Sequence, residues 1–148
     1  MSLIDANLLL HAYDPRSAQH DASRRWLEAT VSGAELVRFA WVTIWAFLGI
    51  STNPRVFERP LSVEEAARAV ASWLDQPAVG MLDPGERHWD ILKRLLSESQ
   101  VKGPLVMDAA LAALAIEHGA TLETTDRDFA RFAGVKWRNQ IAARRADV

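Results

Sequence analysis

Short apolar runs of β-type residues recur along the chain, and each hands over to a longer stretch with helical periodicity. Leu3-Ile4, 35–39, 79–82, 120–124 and 135–137 are the strand-like runs. Successive strands joined by helices require a mainly parallel sheet with helices on both faces. The expected fold is therefore a three-layer α/β/α domain. At 148 residues and 49% hydrophobic content the chain fills one core, with no repeat or linker to divide it. Residues 1–140 are expected to form that single domain and 141–148 a fraying tail.

The helical stretches carry their own punctuation. Ser17 is positioned to cap a helix to Thr30 with Trp26 and Leu27 inward, and 42–50 reads as a largely buried helix ending before Asn53-Pro54. Ser62-Val63-Glu64-Glu65 has the spacing of a capping box, in which Ser62 and Glu65 satisfy each other's free amides. Residues 86–99 form an amphipathic pattern with Trp89, Leu92, Leu95 and Leu96 inward. Residues 105–118 are Ala-rich, with Asp108, Leu111, Ala112 and Ala115 on one face and Gly119 as the stop.

Composition removes several kinds of chemistry. With no cysteine there is no disulfide framework, thiolate metal site or thiol nucleophile. No apolar run approaches the ~20 residues of a membrane span and no secretory leader precedes the first strand, so the expected location is the cytoplasm. A net charge of −2 gives no global field for nucleic acid. The four histidines have no metal-ligand spacing, and no Gly-rich phosphate loop or nucleophile elbow is present. Trp26, Trp73 and Trp89 fall on apolar helix faces and read as packing. Arg144-Arg145 reads as a solvated pair on the tail.

What remains is carboxylates at element ends. Asp5 closes the first strand, Asp126 and Asp128 follow the 120–124 strand, and Asp108 stands near the start of the Ala-rich helix. Asp126 also suits a purely local role, capping the short helix expected at 128–132. In a parallel sheet, however, Asp5 and Asp126 share the carboxyl rim, where such sheets bind ligands. Crowded carboxylates repel unless a cation offsets them, and an oxygen-only donor set suits Mg²⁺ or Mn²⁺ over zinc. A hard cation with open water positions is equipped for hydrolysis of a phosphodiester.

Five segments stand out together: Leu3-Ile4-Asp5-Ala6-Asn7-Leu8-Leu9, His20 with Ser23 and Trp26-Leu27, Thr52-Asn53-Pro54-Arg55-Val56-Phe57, Met107-Asp108-Ala109-Ala110-Leu111, and Thr124-Thr125-Asp126-Arg127-Asp128-Phe129. In this order they resemble a PIN-domain protein of the VapC toxin type. The resemblance implies a Mg²⁺- or Mn²⁺-dependent endoribonuclease acting on RNA, the toxin of a toxin–antitoxin pair, homodimeric and silenced by a VapB-type antitoxin. It assigns Asp5, Asp108 and Asp126 as metal ligands and catalytic acids, Asp128 as an auxiliary catalytic acid, and Asn7 and Thr124 as polar neighbours. One element departs from the pattern: where such domains carry a Glu on the third helix, the register falls at or near Ala46. That departure keeps open an alternative, a weak or inactive module that binds RNA or an antitoxin. A phosphatase starting from Asp5 is disfavoured because the residue two positions on is Asn7, not an acid.

Overall fold

The computed structural model describes residues 1–142, and 143–148, including Arg144-Arg145, lie outside the described residues. The order is β1 (Ser2–Ile4), α1 (Ala6–Tyr13), α2 (His20–Val31), β2 (Val37–Phe39), α3 (Trp41–Ser51), α4 (Val63–Leu74), β3 (Val79–Met81), α5 (His88–Ser99), α6 (Leu105–His118) and β4 (Thr121–Glu123). A 3₁₀ turn (Arg127–Arg131) and β5 (Lys136–Arg138) follow. All pairings in the five-stranded sheet are parallel, in the order β3-β2-β1-β4-β5. The chain thus steps outward from β1 to β2 to β3, then crosses back over β1 to lay down β4 and β5. The direction reverses between β1 and β4, and such a reversal opens a crevice at the carboxyl ends of the two strands.

Neighbouring strand residues face opposite layers, so Leu3 and Ile4 seed two cores. Ile4, Val37 and Phe39 pack with α1 to α4 through Leu8, Leu9, Trp26, Leu27, Ile44, Phe47 and Trp73. Leu3 and Leu122 pack on the other face with Leu95, the Ala109–Ala115 stretch of α6, Phe129 and Phe132. Small side chains along α6 let it lie close against the sheet, which brings its N-terminal turn, with Asp108, near the β1/β4 rim. Phe39, Phe47 and Trp73 meet as an aromatic cluster, with Phe47 edge-on to Trp73 at 4.9 Å between ring centres.

The local signals read correctly in most places. Ser62 and Glu65 form the reciprocal capping box, and Gly119 ends α6 in the left-handed conformation that an L side chain resists (φ 66°). Four expectations change. Ser17 does not cap α2: its hydroxyl accepts from the Gln19 amide in a turn that precedes the helix, which starts at His20. The α3 helix is less buried than its composition implies, because Trp41 and Trp45 stand 43% and 65% exposed while Ile44 and Phe47 take the inward face. Trp89 is likewise 61% exposed, since α5 packs mainly through Leu95, with Ile91, Leu92 and Leu96 at the edge. Ile141, the first residue of the expected tail, is buried in the same core as Trp26.

Candidate functional site

The β1/β4 crevice is built around one hydroxyl. Thr124, fully buried just past β4, donates from Oγ1 to Asp5 Oδ2 at 2.7 Å, and the same oxygen accepts from Asn7 Nδ2 at 3.3 Å and from the Asp126 amide at 3.0 Å. The backbone sets this up: the Asp5 amide donates to the Glu123 carbonyl at 3.0 Å, continuing the ladder one step beyond the paired residues. Asp5 is the N-cap residue of α1 by position, with extended backbone, yet beyond a contact with the adjacent Ala6 amide its side chain makes no capping hydrogen bond. The carboxylate is turned instead toward Thr124 and the rim.

Asp126 caps locally and also bears on the other acids of the rim. Its Oδ1 accepts from the Asp128 amide at 2.8 Å and so caps the 3₁₀ turn, while its charge acts on Asp5 and Asp108. Burial pushes the Asp5 carboxyl up from 3.8 to about 6; hydrogen bonds from Thr124 and Ala6 pull against that, and the charges of Asp108 and Asp126 add to it. The Asp108 carboxyl is also raised, first by burial and then by Asp126, with Arg131 offsetting and Asp128 adding. The crevice therefore brings the fields of Asp5, Asp108 and Asp126 together, with Asp128 exposed at its edge.

The donor set fits a hard cation in chemistry. It consists of carboxylate oxygens that raise one another's proton affinity, together with the Asn7 Oδ1, a buried oxygen with no hydrogen-bond partner. The carboxylates are within electrostatic reach of each other without being closed into a cage: among the described residues no three acidic or imidazole groups are gathered tightly enough to enclose an ion as they stand. Like charges hold such a group apart. Ala46 is half-buried on α3 and contributes no acid.

Two features of the site escaped the sequence. Arg131 places a cation among the acids, its Nε donating to the Asp128 carbonyl at 3.1 Å and its Nη2 lying 3.6 Å from Asp128 Oδ2; the three-residue spacing from Asp128 was the available signal. Glu123, inside a strand and 1% exposed, carries the buried end of an ion pair to Arg138. The four histidines lie in helices, as expected, and none acts on these carboxylates.

A parallel α/β sheet with acids on two strand ends and on the helix between them defines an α/β domain with an acidic rim. The PIN domain model matches residues 2–135, and the chain belongs to the PIN-domain family. Its sequence is 46% identical over 137 residues to Ribonuclease VapC37 of Mycobacterium tuberculosis, covering 93% of this chain and 95% of that one. It is 38% identical to Ribonuclease VapC33 of the same species, covering 95% and 99%. Among solved structures, VapBC2 from Rickettsia felis, bound to a DNA fragment from its promoter, contains a chain that superposes with a TM-score of 0.69 at 17% identity. That match covers 93% of this chain and 97% of the other. No helix among the described residues is long and apolar enough to cross a membrane.

Proposed function

We propose that this protein is a metal-dependent endoribonuclease, the toxin of a toxin–antitoxin pair. The observation that carries the reading is the electrostatic meeting of Asp5, Asp108 and Asp126 at the β1/β4 switch point, in a chain 46% identical to a protein named as a VapC ribonuclease. Mg²⁺ or Mn²⁺ bound to these three acids would supply Lewis-acid charge and a water of lowered pKa. The chain's own groups do the rest. Thr124 holds Asp5 in orientation, Asn7 offers a neutral oxygen, and Asp126 braces the turn that carries Asp128 and Arg131. Arg131, which pairs with Asp128, would meet a phosphate oxygen of the RNA, since a guanidinium's paired N–H groups match phosphate geometry.

The test is incubation of purified protein with structured RNA, with Mg²⁺, with Mn²⁺ and with chelator. Metal-dependent internal cleavage that Asp5→Asn removes is the expected result. RNA that is retained but left intact with either ion would favour the non-cleaving module, for which Ala46 is the supporting feature.

Two partners follow from the same reading. An acidic crevice suits an antitoxin segment that inserts an Arg or Lys, and the Rickettsia felis neighbour is a VapBC assembly. A second copy of the chain suits the cleft of about 360 Å³ between α3 and α6, where Trp41, Trp45 and Met107 expose apolar surface together.

A further inference from the structure

Glu123 is buried, charged and adjacent to the hub of the site, yet it faces away from the crevice. Its Oε1 accepts from Ser2 Oγ at 3.0 Å, Arg138 Nε at 2.6 Å and Gln140 Nε2 at 3.2 Å, while Oε2 is buried with no partner. Burying a carboxylate with one oxygen unmet is costly. A sequence that keeps such a local violation next to a working site is tolerating it for that site's geometry.

The hydrogen bonds close a circuit. The Asp5 amide donates to the Glu123 carbonyl at 3.0 Å, and Arg138 Nε donates to the Glu123 carboxylate at 2.6 Å. The Thr124 amide donates to the Arg138 carbonyl at 3.1 Å, and Thr124 Oγ1 donates to Asp5 Oδ2 at 2.7 Å. Three strands are locked by four residues. β5 needs such a lock, because it is an edge strand of three residues with Lys136 and Arg138 exposed, and short exposed edges open readily. Were β5 to open, Thr124 would lose its amide partner and the hydroxyl that aims Asp5 would be free to swing.

We propose that Glu123 is a positioning residue for the acidic centre: by clamping Arg138 it fixes β5 against β4, and so fixes the Thr124 hydroxyl between Asp5 and Asp126. The effect on catalysis rests on the ribonuclease reading above, whereas the effect on Thr124 does not. Arg138 is half-exposed at its side chain, so the clamp is open to solvent on one side.

The experiment compares Glu123→Gln, Arg138→Met, Arg138→Lys and Trp73→Phe with the parent protein. Trp73 is buried in the α4 aromatic cluster with Phe39 and Phe47, outside the circuit, and its replacement leaves a core defect without touching Glu123 or any residue bonded to it. Amide hydrogen exchange is followed at Thr124 and Asp126 without metal, and RNA cleavage is followed across a Mn²⁺ titration. Glu123→Gln and Arg138→Met are expected to speed Thr124 exchange at least tenfold, to lower kcat about tenfold with KM for RNA unchanged, and to raise the Mn²⁺ needed for half-maximal rate. Arg138→Lys should restore much of each. Trp73→Phe should lower the melting temperature and leave Thr124 exchange and kcat near parental values.

Unchanged Thr124 exchange in Glu123→Gln and Arg138→Met overturns the proposal, and so does a kcat that follows melting temperature through Trp73→Phe. If the parent protein cuts no RNA, the ribonuclease reading fails by itself, and the exchange measurement still decides whether Glu123 positions Thr124.

Discussion

Thr124 Oγ1 donates to Asp5 Oδ2 across 2.7 Å, joining residues 119 positions apart in the chain. The hydroxyl is the neutral element in a field of carboxylates. It can favour the charged form of Asp5 without adding charge, and it fixes which oxygen faces the crevice. Parallel pairing of β1 with β4 makes the contact possible, with Ile4 beside Glu123 so that the next residue of each strand meets at the rim.

Removing the charge at position 5 should separate function from stability. The Asp5 carboxyl is raised from 3.8 to about 6, so the folded protein holds that proton more tightly than the unfolded chain does. Its contribution to stability is fully present below pH 3.8 and is lost as the pH rises through about 6. Asp5→Asn, which cannot ionise, should then gain on the parent across that window and keep a gain of ~3 kcal/mol at pH 7 in metal-free buffer. RNA cleavage should disappear at every pH. Metal-free melting curves from pH 4 to 8 check the sign, and a variant less stable than the parent at pH 7 would make Asp5 a structural acid.

Thr124→Val keeps the shape and removes the hydroxyl. Asp5 Oδ2 loses its donor, while Asn7 and the Asp126 amide lose their acceptor in a buried place, a change worth about 1–3 kcal/mol. Cleavage should fall by more than tenfold. Thr124→Ser, which keeps the oxygen, should restore most of the activity, and equal activity in the two variants would remove Thr124 from the site.

Much of this was legible in the sequence because the relevant signals are local. Alternating strands and helices dictated the parallel sheet, element ends located Asp5 and Asp126, and the Ser62–Glu65 spacing foretold a cap that formed. Glu123 was not legible: nothing in the run Leu122-Glu123-Thr124 signals a buried partner, and the groups that bond its carboxylate, Ser2, Arg138 and Gln140, lie 121, 15 and 17 positions away. The exposure of Trp41, Trp45 and Trp89 was hidden for the opposite reason. Helical periodicity tells which residues share a face, not whether another element covers that face, and α3 and α5 each leave an aromatic side uncovered.

The uncovered side gives a prediction about assembly. Trp45 is the most exposed of the cleft aromatics at 65%, and Met107, from α6, is 52% exposed on the facing wall. If this face receives a second copy, Trp45→Glu should convert a dimer to a monomer with no loss of helical content, because the parent side chain packs against no buried core cluster. Light scattering across a concentration series reads the mass directly. A parent protein that stays monomeric at high concentration would leave the cleft to another partner.

Ala46 makes the final prediction. Divalent affinity rises with the number and rigidity of charged oxygen ligands, and Mg²⁺ in particular leans on substrate phosphates to complete its shell. With Asp5, Asp108 and Asp126 held apart and no acid on α3, the RNA-free protein should bind at most one ion weakly and be more active with Mn²⁺, which binds a given oxygen site more readily. Ala46 is half-buried, neither sealed in the core nor fully in water, so a longer acidic side chain there has a route toward solvent and a moderate desolvation cost. Ala46→Glu should shift the metal dependence of cleavage to lower concentration and tighten Mn²⁺ binding in calorimetry without RNA. Metal-free stability should fall at the same time, because another negative charge is added near a group that already repels itself. Two tightly bound ions in the parent protein would show that the site is complete without a fourth acid, and an unchanged titration in the variant would show that position 46 does not face the crevice.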